Sequence, residues 1–277
     1  MVPTTTIRDV VVSRLAIGGN PFSGISHHTR QRDLEMADYF SAGRTKETLH
    51  ECEENGITVF CGRIDNHIIR LLREYWNEGG QIKWFAQTAP EHRSHLENIR
   101  AAAGNGASAI YIQGHTARQF REAGGWKGFG EAIDLVRSLG LLAGSATHQP
   151  DFHAARRAAG IELDFCLQSL YDIEGRKGNI FRHDQGEQFD DADRLRALEA
   201  IAANPEPTFA YKVLAAGRKH PRESLPEVAR YLKPTDGVLM GMWPRDNPHM
   251  VRENAELVAE LLGPETAPAE NRSQNAR

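Results

Sequence analysis

The chain has 277 residues, a normal length for one α/β barrel, and a formal net charge of −4 from 33 basic and 37 acidic side chains, so nothing indicates a nucleic-acid partner. It has no run of about 18 apolar residues and no basic N-terminal segment followed by an apolar core, so we expect neither a membrane span nor a secretory signal. Three widely spaced cysteines, Cys52, Cys61 and Cys166, are typical of a reducing compartment, and we expect a cytoplasmic protein.

Short apolar runs alternate with amphipathic segments along the whole chain. The predicted strands are 15–17, 57–61, 82–86, 109–112, 141–144, 163–167, 208–212 and 237–240, and the predicted helices are 45–55, 66–77, 94–103, 129–139, 151–159, 191–203, 224–231 and 248–262. Eight β-then-α units predict a parallel sheet closed into a (β/α)8 TIM barrel. A doubly wound open sheet is the alternative, but Gly18–Gly19–Asn20 lacks the spacing of its dinucleotide-binding turn.

We expect residues 1–263 to form one barrel domain. The polar tail 264–277 has two prolines and no apolar period, and we expect it to be disordered. Two segments, 22–44 after the first strand and 171–190 after the sixth, are longer than a barrel needs. Because loops beyond about 12–15 residues are usually functional or disordered, we interpret both as lids or walls over the mouth of the barrel.

Several short motifs occur in a recognisable order along the chain. Gly18–Gly19 ends the first predicted strand, Gln113–Gly114–His115 follows the fourth, Gly217–Arg218 lies after the seventh, and Arg252–Glu253–Asn254 lies in the last helix. Over residues 11 to 262 this order and spacing resemble the aldo-keto reductase superfamily. The resemblance implies a TIM barrel and, for a typical member, carbonyl reduction by NADPH with an Asp, Tyr, Lys and His tetrad.

The residues that the resemblance assigns to the reaction are mostly replaced. The aspartate position falls on Cys61, the tyrosine position near Asn66 and the lysine position on Thr88, while only His115 matches. Loss of the tyrosine and its lysine removes the general acid of the reductase reaction, a contribution of about 10²–10⁴-fold. We therefore expect the scaffold to be kept and hydride transfer to be lost.

The predicted strand ends instead collect many polar side chains. We expect His115, His148 and Lys212 to be catalytic, and the following residues to bind substrate: Asn20, Arg63, Asp65, His67, Gln87, Gln168, Asp172, Trp243 and Arg245. Such a polar ring suits a small, sugar-like substrate that is oriented by hydrogen bonds, and Trp243 could stack on a sugar face.

The proton-transfer roles follow from the chemistry of each group. His115 is the first candidate for acid or base, because an imidazole exchanges a proton near neutral pH. His148 either faces His115 across the mouth or caps the next helix. Lys212 ends a strand inside an apolar run, which suits a base or Schiff-base lysine, or else it pairs with Asp172 or Asp246. The leading hypothesis is a lyase, isomerase or hydrolase acting on a small molecule.

Two other functions stay open at this stage. A divergent NADP-dependent oxidoreductase would hold its cofactor through Gln168, Lys212, Arg218, Glu253 and Asn254. A non-catalytic ligand-binding module would need no acid or base at all.

A divalent metal is a weaker hypothesis, with candidate ligands Asp65, His67, His115 and His148. The sequence does not predict the oligomeric state.

Overall fold

The computed structural model of the chain describes residues 1–123, 125–172 and 189–263. Eight parallel strands close into a barrel in chain order, with the last strand paired to the first. The barrel strands are β3 (Leu15–Gly18), β4 (Val59–Arg63), β5 (Lys83–Gln87), β6 (Ala109–Ile112), β7 (Leu142–Thr147), β8 (Phe165–Ser169), β9 (Thr208–Tyr211) and β10 (Gly237–Gly241). The predicted (β/α)8 fold is confirmed.

Ten α-helices lie in the described part of the chain. They are α1 (Arg30–Tyr39), α2 (Ala42–Glu54), α3 (Asn66–Asn77), α4 (His95–Ala103), α5 (Gly114–Glu122), α6 (Lys127–Ser138), α7 (Phe152–Ala158), α8 (Asp191–Ala203), α9 (Pro221–Ala229) and α10 (Met250–Leu262). The predicted bounds of α3 and α8 match at both ends, and the other predicted helices differ by a few residues. Helices α1 and α5 were not predicted.

An N-terminal hairpin also escaped prediction. Strands β1 (Thr4–Ile7) and β2 (Val10–Ser13) pair antiparallel outside the barrel. Ile7 and Val12 are buried in the same apolar cluster as Val59 and Leu142, the first residues of β4 and β7. The hairpin therefore covers the amino-terminal end of the barrel, which leaves the opposite end for a binding site.

The segment predicted as a long loop after the first barrel strand is largely helical, so that part of the prediction is wrong. It holds a 3₁₀ turn (Pro21–Ser23), α1 and the start of α2. The predicted start of the next helix at Thr45 is also wrong, because α2 begins at Ala42 and is capped by Ser41, whose side chain accepts from Arg44 N. Most of the second predicted loop, residues 173–188, and the tail 264–277 lie outside the described residues.

Side chains alternate between the interior of the barrel and the helical layer, as the two-residue period of a strand requires. Val59, Phe85, Ala109, Phe165 and Phe209 fill the interior. The opposite faces of the strands pack against the helices in a larger apolar cluster. No helix in the described ranges has the length and apolar character needed to cross a bilayer.

One buried histidine in the helical layer makes the fold sensitive to acid. His153 on α7 is 4% exposed, and its Nε2 lies 3.4 Å from the Leu167 carbonyl oxygen. Burial, together with the nearby Arg156 guanidinium, lowers the pKa of His153 to about 3 from the ordinary 6.5. The folded protein therefore keeps this imidazole neutral while the unfolded chain protonates it below pH 6.5.

We expect this histidine to remove about 2 kcal/mol of unfolding free energy between about pH 7.5 and about pH 5. The depressed pKa means that the contribution is fully present above the unfolded pKa and is lost as pH falls toward the folded pKa. Urea unfolding at both pH values would measure it. His153→Gln should lose less stability than the wild type over the same interval by that amount, whereas equal losses in the two proteins would contradict the assignment.

Candidate active site

A cavity of about 750 Å³ opens at the carboxyl ends of the barrel strands. Its walls come from residues at the ends of β3 to β7, β9 and β10, from α1 and α10, and from the segment that leads into α9. This volume and position suit a small-molecule ligand.

The floor of the cavity is formed by inward-facing residues of the strands. Cys61, Tyr111, Ala146 and Leu167 are buried in the interior cluster, and each also lines the cavity. Burial raises the pKa of the Cys61 thiol and of the Tyr111 phenol, with the neighbouring Cys61 and Tyr211 adding to the effect on Tyr111. Both groups are therefore protonated at neutral pH, and this floor disfavours charge.

One wall of the cavity joins an imidazole and a second phenol. The rings of His148 and Tyr211 meet edge to face with centroids 5.6 Å apart, and the Tyr211 hydroxyl donates to the Thr147 carbonyl at 3.0 Å. Gly114, the first residue of α5, packs closely against both side chains. A Cβ built there would lie 3.1 Å from His148 Nδ1 and 3.5 Å from the Tyr211 oxygen. The close start of α5 thus holds the imidazole in its place on the wall.

The rim of the cavity carries a cluster of cationic and imidazole groups. Lys212 Nζ lies 3.1 Å from His27 Nε2, and Asn20 Nδ2 lies 3.2 Å from the same nitrogen. Arg218 Nη2 donates to the His27 carbonyl at 3.2 Å. His27 and Lys212 both have left-handed backbone conformations, with φ values of 55° and 58°. The segment after β3 is thus tied to the segment after β9.

Arg218 makes this rim electropositive. Its guanidinium donates to the carbonyl of Ala215 as well as that of His27, and it stacks on Phe189 at 4.5 Å; no carboxylate of the described residues pairs with it. Burial lowers the pKa of Arg218 itself. The pKa of His28 is lowered by burial and by the positive charges of Arg218 and Arg32. A negatively charged ligand group is therefore favoured at this point.

A buried arginine of α8 stabilises the conformation of the segment after β9. Arg194 on α8 donates from Nη1 to the Val213 carbonyl at 3.0 Å and from Nη2 to Ser224 Oγ at 2.8 Å. Ser224 Oγ donates to the same Val213 carbonyl. These bonds fix the backbone next to Lys212.

The predicted site residues divide into two groups. Those that line the cavity are Asn20, Arg63, Gln87, His148, Lys212, Arg218, Trp243, Glu253 and Asn254. Those that are not among its lining residues are Asp65, His67, His115, Gln168, Asp172 and Arg245. The structure therefore brings His148 and Lys212 to one cavity without His115.

Local structure accounts for several of the residues outside the cavity. His115 is the second residue of α5 and is half-buried, whereas the preceding Gly114 reaches the cavity. Gln168 follows the inward-facing Leu167, so its side chain lies in the helical layer, where Nε2 donates to the Ser169 carbonyl. Asp65 caps α3 by accepting from Ile68 N at 2.9 Å.

The predicted anchors Arg63 and Arg245 are occupied by carboxylates. Arg63 pairs with Asp65 at 3.2 Å and with Glu91, and Arg245 pairs with Glu35 at 3.6 Å. Their charges are thereby balanced within the protein, which leaves Arg218 as the stronger candidate for holding an anion.

The predicted sugar-stacking residue Trp243 also has a partner within the protein. The guanidinium of Arg32 lies over its ring, 4.3 Å from the centroid, and Arg32 pairs with Asp246 as well. A substrate that stacked on this face of the indole would have to displace Arg32.

The metal hypothesis gains no support from the side-chain arrangement. Within residues 1–123, 125–172 and 189–263, no three His, Cys, Asp or Glu side chains gather in a way that could hold a metal ion. Asp65, one of the four candidate ligands, is instead taken up by the cap of α3 and by Arg63.

Sequence reasoning missed the two tyrosines of the cavity. Tyr111 lies two residues after Ala109 and Tyr211 two residues after Phe209, and both preceding residues face the barrel interior. A two-residue period along each strand would have placed both phenols inside. This two-residue alternation is not visible in the sequence, because parallel strands that are buried on both faces form continuous apolar runs.

The fold and its mouth cavity define the chain as a (β/α)8 barrel with an enzyme-like architecture. No protein-family model matches the chain, and no curated protein sequence does. Solved structures with a similar fold include a protein described as an aldo-keto reductase from Pseudomonas aeruginosa, with 14% identity, a TM-score of 0.60 and coverage of 92% of this chain and 94% of that one.

Two further structures extend the comparison. The holo form of an aldo-keto reductase from Bacillus halodurans has 11% identity, a TM-score of 0.55 and coverage of 95% and 94%. A truncated 3-deoxy-D-arabino-heptulosonate 7-phosphate synthase from Thermotoga maritima has 14% identity, a TM-score of 0.53 and coverage of 94% and 91%. At these identities the similarity establishes the fold and leaves the reaction open.

Proposed function

We propose that the chain is an enzyme that catalyses proton transfer on a small, polar, sugar-like substrate bound in the mouth of the barrel. The observation that carries this proposal is the convergence of His148, Tyr211 and Lys212 on one cavity. An imidazole supplies an acid or base near neutral pH, and positively charged groups at the rim orient the substrate relative to it. The predicted role of His115 passes to His148, because His148 lines the cavity.

The chemistry requires a substrate with a carbonyl group. His148 removes a proton from a hydroxyl-bearing carbon next to the carbonyl, and the electron pair of that C–H bond moves onto the carbonyl oxygen to give an enediolate. His148 then returns the proton to the former carbonyl carbon, while the proton of the α-hydroxyl passes to the enediolate oxygen, and this completes an isomerisation. In an elimination, the carbonyl instead re-forms as a leaving group on the next carbon departs with its bonding electron pair. Lys212 and Arg218 at the rim would hold a negatively charged substituent of the substrate.

The test is proton exchange in D₂O. A panel of sugars, sugar phosphates and small hydroxy acids is incubated with the protein, and loss of the α-proton signal is followed by ¹H NMR. We expect catalysed exchange on at least one phosphorylated or carboxylated sugar. Saturable binding without exchange would support a ligand-binding module instead, and it would overturn the enzymatic proposal.

A divergent NADP-dependent oxidoreductase is the second candidate function. It is favoured by one observation: Lys212, Arg218, Glu253 and Asn254 line the same cavity. Gln168, the fifth residue expected at the cofactor, is buried in the helical layer beyond the cavity lining.

Titration with NADPH, followed by its fluorescence, separates the two candidates. The proton-transfer proposal expects no saturable signal up to about millimolar cofactor, the upper end of usual KM values. A saturable signal that weakens in Arg218→Met would instead favour the oxidoreductase. Arg222→Met, a change at an exposed arginine on the same rim, serves as the charge-matched control.

A further inference from the structure

The Tyr111 hydroxyl differs from the other phenol of the cavity, that of Tyr211. Tyr111 is 3% exposed and packs edge-on against Phe165, yet its hydroxyl has no hydrogen-bond partner among the residues that the structure describes. The residue lines the cavity. The second phenol, Tyr211, differs because its hydroxyl donates to the Thr147 carbonyl. Because Tyr111 lines the cavity and its hydroxyl makes no bond to the described protein, this hydroxyl is available to a ligand.

The surroundings of Tyr111 select the kind of acceptor that it can meet. Cys61 and Leu167 share the floor with it, and burial raises the pKa of both the Cys61 thiol and the Tyr111 phenol. The phenol is therefore a hydrogen-bond donor throughout the physiological range. A carboxylate or phosphate oxygen would meet the same desolvation penalty that disfavours the thiolate and the phenolate, whereas a neutral carbonyl oxygen would not.

The positive charge of the cavity lies at a different place. Arg218 stands at the rim, where it donates to two carbonyl groups of the backbone and has no carboxylate partner in the described part of the chain. The floor therefore has a hydrogen-bond donor suited to a neutral oxygen, and the rim has a positive charge suited to an anion. A ligand that satisfies both must carry the two groups on one small skeleton.

We infer that the floor of the cavity is a carbonyl-binding subsite in which the Tyr111 hydroxyl donates to the carbonyl oxygen of a small carbonyl compound whose anionic group lies near Arg218. The inference rests on the proposed proton-transfer function and names its substrate class. As the C–H electron pair moves onto the carbonyl oxygen, that oxygen becomes a stronger acceptor, so the bond from Tyr111 strengthens in the transition state. Tyr111 is then a catalytic residue alongside His148.

The first measurement uses the unliganded protein and a matched pair of variants. Tyr111→Phe removes a hydroxyl with no protein partner, so we expect an unchanged or higher Tm. Tyr211→Phe removes a hydroxyl that donates to Thr147, so we expect a lower Tm. A lower Tm for Tyr111→Phe, equal to that of Tyr211→Phe, would show that the Tyr111 hydroxyl is bonded within the protein and would overturn the inference.

The second measurement uses two probes that differ only at the carbonyl. Dihydroxyacetone phosphate has a ketone and a phosphate, while glycerol 3-phosphate has a hydroxyl in place of the ketone. Calorimetric titration should show that the wild type binds the ketone more tightly and that Tyr111→Phe loses about tenfold of that preference. Equal affinity of the wild type for both probes, binding of neither, or a preference retained in Tyr111→Phe would each overturn the inference.

The experiments distinguish failure of the proposed function from failure of the carbonyl-binding subsite. Binding that prefers the ketone and depends on Tyr111, without α-proton exchange in D₂O, would leave the subsite standing and remove the proton-transfer proposal. Exchange that is equally fast in the wild type and in Tyr111→Phe would keep the proposed function and overturn the role of Tyr111.

Discussion

Replacing His148 by glutamine is expected to lower the rate of α-proton exchange by about 10²–10⁴-fold, the usual contribution of a positioned general acid or base. Glutamine keeps a polar side chain of similar reach but cannot take up a proton at neutral pH. Because His148 does not provide the positive charge at the rim, we expect the affinity for an anionic substrate to change little. The measurement is the exchange rate in D₂O at saturating substrate, together with the dissociation constant from calorimetry.

The same substitution at His115 provides the comparison. His115 lies on α5 and is not among the cavity-lining residues, so His115→Gln is expected to leave the exchange rate unchanged. A large loss in His115→Gln with a normal rate in His148→Gln would return the catalytic role to His115. Equal, small effects in both variants would remove the imidazole from the mechanism.

The second large effect concerns the barrel itself. Gly237 begins β10, and a Cβ built there would lie 2.5 Å from the Arg14 carbonyl oxygen and 2.7 Å from Phe209 Cε1. The Arg14 side chain donates from Nε to the Asp236 carbonyl at 2.6 Å and from Nη1 to the Leu262 carbonyl at 2.8 Å, so this backbone has little room to move.

Gly237→Ala is therefore expected to cost about 3 kcal/mol of unfolding free energy, at the upper end of overpacking effects. Urea unfolding followed by circular dichroism would measure it. Gly43→Ala is the matched control, since its Cβ would meet only Ser41 Oγ at 3.9 Å and the residue lies in α2. Alanine in a helix is better than glycine by about 0.5–1 kcal/mol, so the control should gain stability. A Gly237→Ala protein as stable as the wild type would contradict the packing of β10 against Arg14.

The polar residues predicted as one ring of substrate-binding groups differ in what they can contribute at the rim and at the floor of the cavity. Arg63 and Arg245 carry the positive charge expected of a substrate-binding residue, but they form ion pairs with Glu91 and Glu35. The attraction for a negative charge therefore rests at Arg218, and the hydrogen-bond donor at the floor is a phenol. A substrate would be oriented by these two unlike groups across the imidazole of His148.

The sequence by itself determined the class of fold. Apolar runs alternating with amphipathic segments were enough to predict eight β-then-α units, because the spacing of apolar residues along one element is a local pattern. Strand β6 and helices α3 and α8 were predicted with the bounds that the structure has. Helix α5 was missed because its buried residues are Gly114, Thr116 and Ala117, which carry too little apolar signal.

Only the tertiary structure decided which polar groups meet. Lys212 and His27 are 185 positions apart, yet they come within 3.1 Å once β10 closes the barrel against β3. Whether a strand residue faces the cavity or the helices depends on the register of the whole barrel, and a shift of one position separates the floor residue Leu167 from Gln168 in the helical layer. A sequence pattern predicts whether an element is buried, but whether two distant polar side chains meet depends on the closure of all eight strands.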